Sequence, residues 1–108
     1  MPLQLKNNAT TTTAAAISAS DLSVTVASGT GALFPILGGS DYFYATIQSV
    51  NNLYEIVKVT ARVNDTMTIV RAQEGTTALY FAANSRFEIR VTVQNIKSVL
   101  EDLDYLLL

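Results

Sequence analysis

Any chemistry in this chain of 108 residues has to be done without histidine and without cysteine, since the sequence contains neither. Their absence removes the commonest general base near neutral pH and the commonest transition-metal ligand, together with thiolate zinc sites, cysteine nucleophiles and disulfides. Carboxylate, lysine and tyrosine chemistry remains. Asp21, Asp41, Glu55, Asp65, Glu74, Glu88, Glu101, Asp102 and Asp104 are scattered over turns and strands, and no two of them form a recognisable acid/base motif. Most read as solubilising groups. Gly29-Thr30-Gly31 and Gly38-Gly39 lack the Lys-Ser/Thr that completes a phosphate cradle, and they read as loop glycines. The expectation is a protein that is not an enzyme, with no cofactor and no metal.

Binding chemistry is better represented. Tyr42, Phe43 and Tyr44 form an aromatic run, and with Tyr54, Tyr80, Phe81 and Phe87 they could stack on bases or sugars. Nucleic acid would require a positive stripe that displaces counterions from phosphates. The basic residues Lys6, Lys58, Lys97, Arg62, Arg71, Arg86 and Arg90 form no run, and the formal net charge is -2. No nucleic-acid partner is expected, and core or interface packing is the plainer role for the aromatics. A glycan site would draw on Asp41, Tyr42, Tyr44 and Tyr54, so a carbohydrate-binding module stands as the alternative of another class. With 49% apolar and 15% charged residues, the chain is too hydrophobic for disorder and sparsely charged for a free monomer. That balance points to buried contacts with other proteins.

The elements that would position these residues are short strands. One domain with a modest core is expected at this length. Residues 9–20, rich in Thr, Ala and Ser, read as an N-terminal arm or edge strand. Leu22-Ser23-Val24-Thr25-Val26 alternates at period 2, as a half-buried strand does. Residues 29–41 hold five backbone breakers, Gly29, Gly31, Pro35, Gly38 and Gly39, around Ala32-Leu33-Phe34. This is a loop whose apolar centre is expected to tuck onto the core. Residues 42–49, 53–62 and 66–71 read as a hairpin meander, divided by Asn51-Asn52 and Asn64-Asp65, which tolerate left-handed turns. Residues 86–93 alternate again, and residues 78–84 are ambiguous. The fold class expected over residues 21–93 is mainly β, an antiparallel β-sandwich or small barrel.

At residue 94 the period changes. Ile96, Val99, Leu100, Leu103, Leu106 and Leu107 recur at helical spacing, so residues 94–108 read as an amphipathic helix. A helix of this length is marginal alone in water, and its apolar stripe must therefore pack on something. Two arrangements satisfy that: packing on its own sheet, or a self-association seam using the alternating three- and four-residue steps of Ile96, Val99, Leu103 and Leu106. Asp102 and Asp104 lie near the end where the helix dipole disfavours anions, consistent with solvent exposure or a cation from another chain.

The central block, with Tyr44-Ala45-Thr46-Ile47, Tyr54-Glu55-Ile56-Val57-Lys58-Val59-Thr60 and Thr68-Ile69-Val70-Arg71-Ala72-Gln73-Glu74-Gly75-Thr76-Thr77-Ala78, resembles a β-sandwich module of tailed-phage structural proteins. The Arg-x-Gln-Glu-Gly-Thr-Thr-Ala turn is its most specific part, and Phe34-Pro35 falls where such modules carry Phe-Pro in a Gly-rich loop. The likeness spans most of residues 10–93. Read physically, the turn is a structural clasp: Gly75 takes positive φ, Arg71 and Glu74 pair across it, and Thr76 or Thr77 ties down the backbone. The resemblance implies a virion structural protein, a tail or neck adaptor that anchors tail fibres, with a capsid decoration or cement protein as the alternative. Implied partners are other virion proteins and further copies of the chain, as a homo-oligomer. The start of the chain lacks a signal-peptide pattern, and no apolar run reaches the roughly 20 residues of a bilayer span. Synthesis in the host cytoplasm, without a membrane partner, is the corresponding expectation.

Overall fold

The computed structural model describes residues 3–107, with side chains through residue 101. Its elements are β1 (Thr10–Thr12), β2 (Ser23–Thr25), β3 (Phe43–Gln48), β4 (Tyr54–Val63), β5 (Thr66–Gln73), β6 (Arg86–Glu88) and α1 (Val93–Leu107). The strands form one antiparallel sheet in the order β1-β6-β3-β4-β5-β2. The mainly β class is as expected. The two facing sheets of a sandwich are not seen among the described residues; a single sheet curls into a half-barrel instead.

The curl has local causes. The β4–β5 register shifts between Ile56 and Lys58 and again between Val59 and Ala61. Such irregularities bend a strand and increase its twist. The outermost strands are thereby brought together. Thr13 bridges Val26, with Ala14 N–H donating to the Thr25 carbonyl at 2.8 Å and Ala27 N–H to the Thr12 carbonyl at 2.9 Å. Both exposed edges are thus partly satisfied, which limits adventitious strand pairing. The Thr-rich start of the chain is therefore a pairing strand, and Leu3, Ala9 and Ile17 are buried. The ambiguous stretch contributes a single bridge, Ile17 to Phe81. Strand β6 is shorter than the alternation of residues 86–93 suggests: after Glu88 the chain leaves the ladder, and Val91 is exposed.

Alternation sets the core. Phe43, Ala45 and Ile47 of β3, Val57 and Val59 of β4, and Met67 and Ile69 of β5 point inward with Phe34, Phe81 and Phe87. Phe34 anchors the Gly-rich loop, stacking on Phe43 at 5.7 Å and meeting Phe87 edge-on at 5.3 Å between centroids. The meander turns where expected, with Asn52 at φ 65° and Asn64 at φ 56°.

A 3-10 turn at Thr30–Leu33 begins this loop, and Asp65 holds it. The Asp65 carboxylate accepts the N–H of Gly29 at 3.0 Å and of Gly31 at 2.9 Å, and these two bonds hold its carboxyl below the ordinary value. Gly31 lies so close to the Asn64 carbonyl that an added Cβ would overlap it. Gly31→Ala should therefore destabilise by about 1–3 kcal/mol through overpacking. Gly38→Ala, where a Cβ meets nothing within 4 Å, serves as the reference substitution. Thermal melts of the two variants check this, and equal melting temperatures would contradict the placement of the loop.

Candidate functional site

Strands β4 and β5 carry two ionisable residues on their inward phase. Glu55 precedes Val57 and Val59 at period 2, and Arg71 follows Met67 and Ile69 in the same way, so both side chains face the interior. They meet there. Arg71 Nε donates to Glu55 Oε2 at 2.8 Å and Arg71 Nη2 to Oε1 at 2.7 Å, a bidentate pair in which the Glu55 side chain is fully buried and that of Arg71 is 7% exposed. Backbone N–H groups of Ala72 and Leu79 fill the carboxylate's remaining positions, each at 2.9 Å. The guanidinium is equally satisfied: Nη1 reaches the carbonyls of Ser18 at 2.6 Å and Asp21 at 2.9 Å, and Nη2 that of Leu79 at 2.7 Å. All five guanidinium donors have acceptors.

Burial by itself would raise the Glu55 carboxyl. The hydrogen bonds from Arg71, Ala72 and Leu79, together with the Arg71 charge, outweigh it and hold the group below its ordinary value. Glu55 is thus a structural anion and not one of the solubilising carboxylates.

This arrangement corrects the expected pairing across the turn, because Arg71 pairs with Glu55 and not with Glu74. Glu74 turns outward, at φ 53°, and its Oε1 accepts the N–H of Gln94 at 3.1 Å in the first turn of α1. Gly75 takes φ 79°, as expected. Thr76 Oγ1 donates to the Gln73 carbonyl at 2.7 Å and accepts the Ile56 N–H at 3.1 Å, so Thr76 fastens the turn to β4. One turn therefore holds the buried pair on its inner side and the helix start on its outer side.

Helix α1 is capped by Thr92, whose Oγ1 accepts the Asn95 N–H at 3.1 Å. Its polar face lies on the protein. Asn95 and Ser98 are 4% and 5% exposed, Asn95 Nδ2 donates to the Arg90 carbonyl at 2.7 Å, and Gln94 Nε2 donates to Ser98 Oγ at 3.1 Å. Tyr42 donates to Ser98 Oγ at 3.5 Å, while its ring packs edge-on against Tyr44 and beneath Lys58 Nζ. Arg90 reaches Gln48 on the same outer side of β3. Both faces of β3 are therefore covered, which explains its nearly uninterrupted burial.

The apolar stripe is only partly covered. Ile96, Val99 and Leu100 are 50%, 37% and 54% exposed. The residues placed on the sheet side of the helix are Asn95 and Ser98, while these three are partly covered by their own domain. The side chains of Leu103, Leu106 and Leu107, like those of Asp102 and Asp104, lie outside the described residues, as does all of Leu108. Ile96, Val99 and Leu100 form one wall of a trough of about 600 Å³ between α1 and the N-terminal segment, with Leu5, Ile89 and Val91 among its other walls and Lys6 and Arg90 at its polar positions.

The other candidate group does not converge. Tyr42 and Tyr44 touch, but Tyr44 is buried, and Tyr54 pairs with Gln48, four residues further along β3. That separation is roughly 14 Å at the rise of a strand. Among the described residues no three of the Asp and Glu groups gather where they could hold a metal ion, and no helix is long and apolar enough to cross a membrane. Searches against protein-family models and curated proteins find no match for the chain.

Three outcomes check the clasp. Glu55→Gln leaves a buried guanidinium without its counter-charge and should cost about 3–5 kcal/mol in a urea titration. For the wild type the sign follows from a lowered folded value: the contribution of Glu55 is full above its ordinary value near 4.5 and disappears as pH falls through the lower folded value. Urea midpoints that hold from neutral pH to the ordinary value and then drop would agree; midpoints rising on acidification would not. Gly75→Val should destabilise by roughly 1–3 kcal/mol through its positive φ alone, since open space surrounds the position. An unchanged melting temperature would show the turn to be misassigned.

Proposed function

We propose that this chain is a structural protein of a tailed-phage virion, a tail or neck adaptor that anchors tail fibres to the particle. The observation that carries the reading is the orientation of α1. A helix held to its domain through Asn95 and Ser98 leaves Ile96, Val99 and Leu100 partly exposed along an apolar trough, an arrangement suited to docking on another protein surface. The resemblance of residues 10–93 to phage structural modules supplies the particle, and the Arg71 to Ala78 turn is its most specific part. The curled sheet supplies a rigid base, with its core on one side and the helix start fastened on the other. Other virion proteins are the proposed partners, and the virion the proposed location.

The experiment is a cryo-EM map of the native particle at a resolution that identifies this chain. Density at the tail or neck, at the fibre roots, is the expected result. Density spread over the capsid faces would replace the adaptor reading with a capsid decoration protein, for which the same outward stripe would serve. Absence from the particle would overturn the structural role altogether.

A further inference from the structure

We infer that the trough between α1 and the N-terminal segment is a binding site for one extended, apolar peptide segment that carries a carboxylate and belongs to a partner protein. This deepens the proposed function by giving the chemistry of the partner, and it rests on that reading only for where the segment comes from. Its test uses the purified chain, so it stands or falls apart from the location in the particle.

Shape and lining are the first argument. The trough measures about 600 Å³, within the range of roughly 300–1,000 Å³ that ligand sites occupy. Leu5, Val91, Ile96, Val99 and Leu100 make its walls apolar, and they are between 37% and 85% exposed. A concavity of this size accommodates a few side chains of a single segment.

The main chain along one wall is the second argument. Among the described residues, the backbone groups of Leu5, Lys6 and Asn7 make no hydrogen bond within the protein, although Gln4 before them bonds to Tyr42 and Asn8 after them to Thr10. Such an unpaired stretch takes an added strand, whose N–H and C=O groups pair with it while alternate side chains enter the lining. The opposite wall holds an orphan acceptor. Asn95 is 4% exposed, and its Nδ2 donates to the Arg90 carbonyl, but its Oδ1 has no partner among the described residues. A buried acceptor without a donor is unfavourable, and an incoming main chain brings N–H groups to that wall. An acyl chain would fill the lining and leave both walls unpaired.

Charge is the third argument. Lys6 and Arg90 are among the lining residues, and no described carboxylate is. Lys6 Nζ donates to the neutral Ala32 carbonyl at 2.8 Å. Arg90 lies 3.5 Å from Glu88, which is shared with Arg86 at the same distance, so these three side chains together remain positive. Lys97 on α1 is exposed as well. The acidic residues of α1, Glu101, Asp102 and Asp104, come only toward its end, the first of them roughly 12 Å along the axis from Val93. The carboxylate of the segment therefore lies beside Lys6 and Arg90, and a basic segment finds no counter-charge there.

The test is selection of short random peptides on the purified chain, followed by titration of the enriched peptides and mapping by amide chemical shifts. Enriched sequences should alternate apolar residues and carry Asp or Glu, with shifts centred on residues 5–8 and 95–100. Lys6→Glu should weaken their binding by about fivefold at low salt and by less as salt rises. Leu100→Asp, at a position exposed enough to leave folding intact, should weaken it by about tenfold or more. Val50→Asp, on an exposed turn outside the trough, should leave it unchanged. N-methylation of alternate main-chain amides in an enriched peptide should also cost about tenfold, because the added strand loses its pairing. No enrichment, enrichment of basic or acid-free sequences, or binding indifferent to Leu100→Asp would overturn the inference. So would dodecanoate binding at the same residues while N-methylation has no effect, which assigns the trough to an acyl chain. Self-association in the ultracentrifuge that Leu100→Asp abolishes would overturn it in favour of a second copy of the chain.

Discussion

The burial of Glu55 constrains the rest of the structure. A carboxylate without exposed surface is tolerated only when a cation and hydrogen-bond donors replace water, and here Arg71 and two backbone N–H groups do so. The substitutes come from separate parts of the chain. Ser18 and Asp21 reach Arg71 from the segment before β2, Ala72 from the end of β5 and Leu79 from the irregular segment before β6. Against an apolar pair of similar volume, a buried ion pair often gains little stability. Its consequence here is geometric: these segments have one arrangement in which every donor and acceptor is matched.

That arrangement extends outward through a few covalent bonds. Arg71 faces the interior, Thr76 ties the turn to β4, and between them Glu74 receives the first turn of α1. The helix is then held by contacts of Ser98 and Asn95. Tyr42, just before β3, meets Ser98, and Asn95 meets the Arg90 carbonyl, so Asn95 and Ser98 lie against the domain while Ile96, Val99 and Leu100 stay partly exposed along the trough. The exposed stripe is thus a consequence of how the turn and the outer face of the sheet are built.

Much of this architecture was legible in the residues. The alternation of β3, β4 and β5, the left-handed Asn52 and Asn64, the positive φ of Gly75 and the inward Phe34 all follow from local patterns. The closing of the sheet was not, because it arises from register shifts in β4 and from a bridge between Thr13 and Val26, neither of which has a local signature. Residues 86–93 alternate throughout, yet the chain departs after Glu88 toward the helix cap at Thr92, an override by tertiary contacts. The partner of Arg71 was discoverable. Glu55 sits on the apolar phase of its strand, as Arg71 does on its own, and two opposite charges out of phase on neighbouring strands mark a buried pair. Glu74 is nearer in sequence, but it lies on the exposed side of the turn. Helical periodicity identified the stripe of α1, but only the packing of Asn95 and Ser98 shows which way it points.

Native-state hydrogen exchange at the Leu79 amide tests the central claim most directly. Leu79 lies outside the strands, where amides ordinarily exchange through small local openings. Because its N–H is held by the buried Glu55 carboxylate, it should exchange only by the global unfolding that exposes the amides of Val57 and Val59, with the same denaturant dependence. Exchange at the low free energy typical of a loop would mean that the clasp opens independently of the core, and the account of the fold built on it would fail.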